Sequence, residues 1–169
     1  MKKLQFTSFF SLQLLMLMIF FQLPVFADDY SDNISEEYLR SQFTFAAGDK
    51  LKYAECKKKS HPTCTYIWGA DHKKDEARLK AGVAPKGNKL QIVYAQASSK
   101  KDFERVLGTY KDAKKVEGIG AEAVWSEKRK QLSLITEKNL IVNIHIDEKG
   151  GDAPEEKAIS IAKDLFDNQ

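Results

Sequence analysis

The stretch from 121 to 146 leaves little freedom in how the chain can fold. It holds three short extended runs, 121–126, 131–136 and 140–146, linked by Lys128-Arg129-Lys130 and Lys138-Asn139. Links this short join strands that run in opposite directions, because a parallel pair needs a crossover of about a dozen residues or more. In the third run Leu140, Val142, Ile144 and Ile146 share one face, and Ile141, Asn143, His145 and Asp147 share the other. That two-residue period marks a half-buried strand. An antiparallel meander is the expected outcome.

Two further strands precede it. In 63–68, Cys64, Tyr66 and Trp68 alternate with Thr65 and Ile67. In 89–97, Leu90, Ile92 and Tyr94 line one face, after the turn signal Pro85-Lys86-Gly87-Asn88. Helices are signalled in three places. Ser35 caps a short start with Glu36 and Glu37 in its first turn. Ser99-Lys-Lys-Asp102 resembles a capping box, and Phe103, Val106, Leu107 and Tyr110 then recur at helical spacing. Near the end, Asp152 is the expected cap, Pro154 sits in the first turn, Glu155 completes the box, and Ile159, Ala162, Leu165 and Phe166 form the buried stripe. The fold class is therefore α+β, an antiparallel β-sheet flanked by helices in a single domain. Tyr66, Trp68, Leu90, Ile92, Phe103, Leu107, Leu134, Val142, Ile144, Ala162 and Leu165 are its expected core.

The first 27 residues belong to a different kind of segment. Met1-Lys2-Lys3 is a basic start, 12–21 is apolar but for Gln13, and Val25-Phe26-Ala27 is a small-x-small pattern before Asp28. This is the order of a secretory signal peptide. The apolar run falls short of the ~18–20 residues a transmembrane helix needs. Its removal takes two lysines and no acid from 27 basic and 24 acidic residues, so residues 28–169 are almost charge-balanced. A nucleic-acid binder would carry excess positive charge. No lipidated cysteine follows the cleavage point, so an exported, unanchored protein is expected, periplasmic or secreted.

Cys56 and Cys64 are the only cysteines. An even count in an exported chain points to a disulfide. A bridge closing so small a loop is worth about 2–3 kcal/mol. The competing set Cys56, His61, Cys64 and His72 would suit zinc chemically, yet its spacing matches no common finger. Haem attachment would need Cys-x-x-Cys-His, and a sulfur-rich copper site would need methionines that 28–169 lack. No metal and no cofactor is expected.

Gly118-Ile-Gly120-Ala-Glu-Ala123 matches a relaxed dinucleotide fingerprint. That motif needs a helix at its second glycine, and here a strand follows. The glycines read instead as a sharp corner beside Trp125. No G-x-S-x-G elbow occurs, and the acidic pairs lie at helix starts or in loops. Basic clusters at 57–59, 73–74, 100–101, 114–115 and 128–130 are interleaved with acids.

One ordered set of motifs is familiar: Cys64-Thr-Tyr66-x-Trp68, the Phe103 helix, Val116-Glu-Gly118-Ile-Gly120-Ala-Glu-Ala123-Val-Trp125, Leu132-x-Leu134, the 140–146 strand, and a final helix with Ala158, Ile161-Ala162 and Leu165. This order resembles small exported bacterial proteins of the PsbP-like sandwich group, including actinobacterial sensor-type lipoproteins. The likeness runs from Cys56 to Phe166. It implies an α-β-α sandwich and a binding or accessory role without catalysis, and it brings no catalytic residues. The chain departs from the group in lacking the lipidated cysteine and in its lysine-rich 70–88 excursion.

The expected function is thus a soluble exported binding or accessory protein with a protein partner. An inhibitor or immunity protein against an exported toxin or hydrolase is the alternative. The 70–88 excursion exceeds the ~4–6 residues of an ordinary connection, and long loops on rigid elements often carry binding. Asp71, His72, Lys73, Lys74, Asp75, Glu76 and Arg78 are the candidate contact residues, with the polar face of 140–146 second. If 1–27 is a signal peptide, N-terminal sequencing of the exported protein will begin at Asp28; a retained Met1 would refute the segment's assignment.

Overall fold

The computed structural model of the chain describes residues 34–51, 53–57, 61–69, 78, 81–83 and 87–166. Its elements are α1 (Glu36–Gln42), β1 (Tyr53–Lys57), β2 (Thr63–Trp68), β3 (Asn88–Gln96), α2 (Lys100–Leu107), β4 (Ala113–Val116), β5 (Glu122–Ser126), β6 (Gln131–Ile135), β7 (Leu140–Asp147) and α3 (Pro154–Phe166). The described strands form one sheet in the order β1-β2-β3-β7-β6-β5-β4. Every neighbouring pair is antiparallel, as the short links require. Among the described residues, no helix is long and apolar enough to cross a membrane.

The two faces of the sheet are covered unequally. Leu90, Ile92 and Tyr94 of β3, Leu132 and Leu134 of β6, and alternate residues of β7 meet Leu39 and Phe43 from the α1 end and Ala158, Ile161 and Ala162 of α3. Trp68 and Trp125 are fully buried in this layer. On the opposite face a smaller cluster sets Phe103 of α2 against Ala97, Ile135 and Ile141. Phe103 is buried as its spacing predicts, whereas Leu107 and Leu165 stay half-buried. Both belong to the last turns of their helices, where the packed face runs out.

Local sequence sets the element ends. The Ser35 hydroxyl accepts the Tyr38 N–H at 3.0 Å, and the Asp102 carboxylate accepts the N–H groups of Ser98 and Ser99 at 2.9 and 3.2 Å. The final helix differs from expectation. Pro154 takes the first helical position, so Ala153 (φ 54°) precedes it rather than Asp152. Proline needs no N–H partner there and fixes the boundary. At the Gly118–Gly120 corner, Gly120 has φ +55°, and a Cβ on it would lie 2.7 Å from the Ile135 carbonyl oxygen. The Ala121 N–H donates to that oxygen at 2.8 Å. The glycine thus lets the chain turn tightly against β6, with no helix following.

β1 and β4 are the sheet's edges, and neither was expected as a strand. Cys56 and Cys64 are register partners across β1 and β2 and are disulfide-bonded.

A buried ion pair ties the N-terminal segment to the rest. Glu148, 8% exposed, follows β7 and pairs with the Lys157 ammonium of α3. It also accepts the Thr44 N–H at 3.1 Å. Lys157 lies 5.3 Å from the centroid of the Phe43 ring. Phe43 and Phe45 pack on Trp68 with centroids at 4.7 and 5.3 Å, and the Trp68 indole N–H donates to the Thr44 carbonyl at 3.3 Å. Removing one partner of such a pair strands a buried charge, at a cost of about 3 kcal/mol. Lys157→Met should lose about that much by urea unfolding, and adding Glu148→Gln should recover more than half. A loss below ~1 kcal/mol would show that water reaches the carboxylate.

Candidate functional site

The face bearing α2 is apolar beneath that helix and again at the buried Ile67 of β2 and Val124 of β5. Strand register explains what lies beside it. Thr65 pairs with Gln91, Gln91 with His145, His145 with Gln131, and Gln131 with Ser126. These residues form a polar row across five strands, at the ~4.8 Å strand spacing. The next row holds Val93, Asn143 and Ser133. Thr65, Gln91, Asn143, His145 and Gln131 are all half-buried, so the row lies open to part of the solvent.

The middle of the row is a hydrogen-bonded cluster. The Gln131 amide donates toward the Tyr110 hydroxyl at 2.7 Å and toward Ser133 Oγ and Asn143 Oδ1 at 3.0 Å each. The Ser133 hydroxyl donates to Asn143 Oδ1 at 2.6 Å. Tyr110, just beyond α2, is capped by the Arg129 guanidinium 4.5 Å above its ring. Along the row, the Gln91 amide donates to Thr65 Oγ1 at 3.3 Å. No buried side-chain polar atom among the described residues lacks a partner, so this interior is satisfied rather than strained.

His145 is the row's titratable group. Its Nδ1 lies 2.7 Å from the Arg129 carbonyl. A carbonyl can only accept, so Nδ1 carries the proton of the neutral ring and Nε2 is left as an acceptor. Burial, then the nearby Lys89 ammonium, hold the imidazole below its ordinary value of 6.5; the Arg129 carbonyl and Asp147 oppose them, and Lys130 adds to them. The ring is therefore neutral at physiological pH. Taken together the row presents amides, hydroxyls and a neutral imidazole, chemistry suited to recognition by hydrogen bonds. The Ser133 hydroxyl has two acceptors in reach, the Asn143 amide oxygen at 2.6 Å and the Tyr110 hydroxyl at 3.3 Å.

The residues singled out from sequence fall differently. Cys56 and Cys64 are joined, the buried Cys64 holding the half-buried Cys56 to the core layer. Asp71, His72, Lys73, Lys74, Asp75 and Glu76 lie outside the described residues. Arg78 is helical and half-buried, and its carbonyl accepts the Val83 N–H at 2.8 Å. The base of the excursion is anchored, with Trp68 opposite Asn88 in register. His145 and Asn143 stand on the face their alternation predicts. Tyr110 was read only as the end of a helical stripe and lies beyond α2, while the strand residues Gln131, Ser133 and Gln91 were not singled out. Their signal was present as polar residues at every second position of neighbouring strands, but it shows only once register is known.

Comparison of the chain with protein-family models, with curated proteins and with solved structures finds no match.

The lowered His145 value has a consequence for stability. Above about pH 6.5 the ring is neutral in both folded and unfolded chains. As pH falls below that value the unfolded chain takes up the proton first, so stability declines through a window that opens near 6.5 and closes at the folded value. Unfolding midpoints measured from pH 7.5 to 5 should fall in the wild type, and His145→Gln should remove that component of the slope. An identical slope in both proteins would assign the effect to other groups.

Proposed function

We propose that the chain is a soluble exported protein that works by binding, as an accessory factor for a protein partner, and that 1–27 is its signal peptide. The observation that carries this reading is the partly open polar row of Thr65, Gln91, His145 and Gln131, set on a rigid antiparallel sheet. A neutral hydrogen-bonding surface of this kind fits the polar contact area of a transient protein interface. Three further features support it. The disulfide suits an oxidising compartment. The helix-flanked antiparallel sheet is the architecture that the likeness to the PsbP-like sandwich group implies. The row's hydrogen-bonding groups are positioned by register rather than by a mobile loop, which lowers the ordering cost of binding. The 70–88 excursion is a second contact region, starting from the strand that the disulfide anchors.

The test is capture of a partner by the mature protein from an extracytoplasmic extract. Wild-type bait and the double variant Gln91→Arg/His145→Arg are compared, with near-UV circular dichroism confirming that both fold. The row is the binding surface if a captured protein is lost with the variant. Undiminished capture by the variant, with loss when 71–78 is replaced by a Gly/Ser linker, moves the surface to the excursion. Turnover of a small molecule by the purified chain would overturn the accessory reading.

A further inference from the structure

The basic clusters are interleaved with acids along the sequence, and the fold brings several of the lysines to one corner. Ala113 lies opposite Ser126 in register, so the start of β4 meets the 127–130 turn. Lys111, Lys114, Lys128 and Lys130 gather at this corner and are all exposed. Among the described residues none of the four joins an ion pair. The two acids between them are turned to structural work. Asp112 accepts the Lys128 N–H at 2.8 Å and the Ser126 hydroxyl at 3.0 Å, and these bonds hold its carboxyl below the usual range. Glu127 accepts the Trp125 indole N–H at 2.9 Å. What remains is a corner where four ammonium groups outnumber two carboxylates, one of which, Asp112, also attracts Lys128.

Among the described residues, the same corner carries a free sheet edge. β4 ends the strand order, and an edge strand leaves one row of backbone N–H and C=O groups without a ladder partner. Ala113, Lys114 and Lys115 are exposed. A second copy is a poor occupant. Two β4 strands paired about a two-fold axis would set Lys114 opposite Lys115 at about 5 Å, like charge against like. An acidic strand meets the opposite balance: the edge supplies backbone hydrogen bonds, and the corner supplies the charge that its side chains need.

We propose that the free edge of β4 takes up an extended, acidic segment of a partner protein as an added strand, steered by Lys111, Lys114, Lys128 and Lys130. This docking mode depends neither on export nor on the polar row, so the two proposals fail separately.

The test uses the mature protein and a fluorescein-labelled peptide of about eight residues alternating glutamate with threonine. Anisotropy should show saturable binding, and amide shift changes should centre on 113–116 and 127–130. The exposed double variant Lys111→Glu/Lys114→Glu should bind about tenfold more weakly with its spectrum otherwise unchanged. A peptide N-methylated at alternate residues, which keeps its charge but cannot pair its backbone along one edge, should lose binding. Equal binding by that peptide would overturn strand addition, as would absent binding or shifts that map elsewhere. Binding to phosphatidylglycerol vesicles with none to the peptide would assign the corner to a lipid surface instead.

Discussion

β3 and β7 are neighbours in the sheet although α2 and three strands separate them in sequence. Eight residue pairs, from Lys89 opposite Asp147 to Gln96 opposite Leu140, join them. Every other strand pairing links strands that follow one another along the chain. Without β3–β7 there would be two separate meanders, β1-β2-β3 and β4-β5-β6-β7, each with an open apolar face. The pairing sets Leu90 against Ile146, Ile92 against Ile144 and Tyr94 against Val142. Each fully buried Leu or Ile in this band contributes about 1.5–3 kcal/mol. A one-residue slip would send that whole set to the polar face, so the alternation that builds the core also fixes where the polar row lies.

Much of this was legible because most strands have one face in the core. In β2, β3 and β7 the alternation identified both the element and its buried side. It failed at the edges, where the physical basis of alternation is absent. In β4, Ala113, Lys114 and Lys115 are all exposed, so no apolar period marks a strand that exists through backbone pairing with β5. The Asp152 cap failed for a different reason. A capping residue and a first-position proline were two signals one residue out of step, and the proline, with its fixed φ, set the boundary.

The candidate site was legible in half. Asn143 and His145 could be placed on the face opposite the core from one strand alone. Their partners could not, because Gln91, Gln131, Ser133 and Tyr110 come from two other strands and the end of a helix. Charge shows the same limit. Along the sequence Asp112 and Glu127 offset the lysines around them, and only hydrogen bonds to Ser126, Lys128 and Trp125 show that both carboxylates face structural partners.

The unequal covering of the two faces follows from what each helix can bury. α1 and α3 sit on the face where bulky side chains from β2, β3, β5, β6 and β7 converge, and the Glu148–Lys157 pair locks the segment after α1 over Trp68. On the other face α2 packs on a smaller apolar patch of Ala95, Ala97, Ile135 and Ile141. Extending α2 further across the sheet would bury Gln131, Asn143 and His145 beneath an apolar stripe, and each polar group left without a partner would cost about 1–3 kcal/mol. Tyr110, immediately after α2, instead joins the cluster through its hydroxyl and takes Arg129 on its ring. Among the described residues, the apolar stripe of α2 ends where the row turns polar. Apolar burial secures one end of that face, and strand register holds the hydrogen-bonding groups of the row in place beside it.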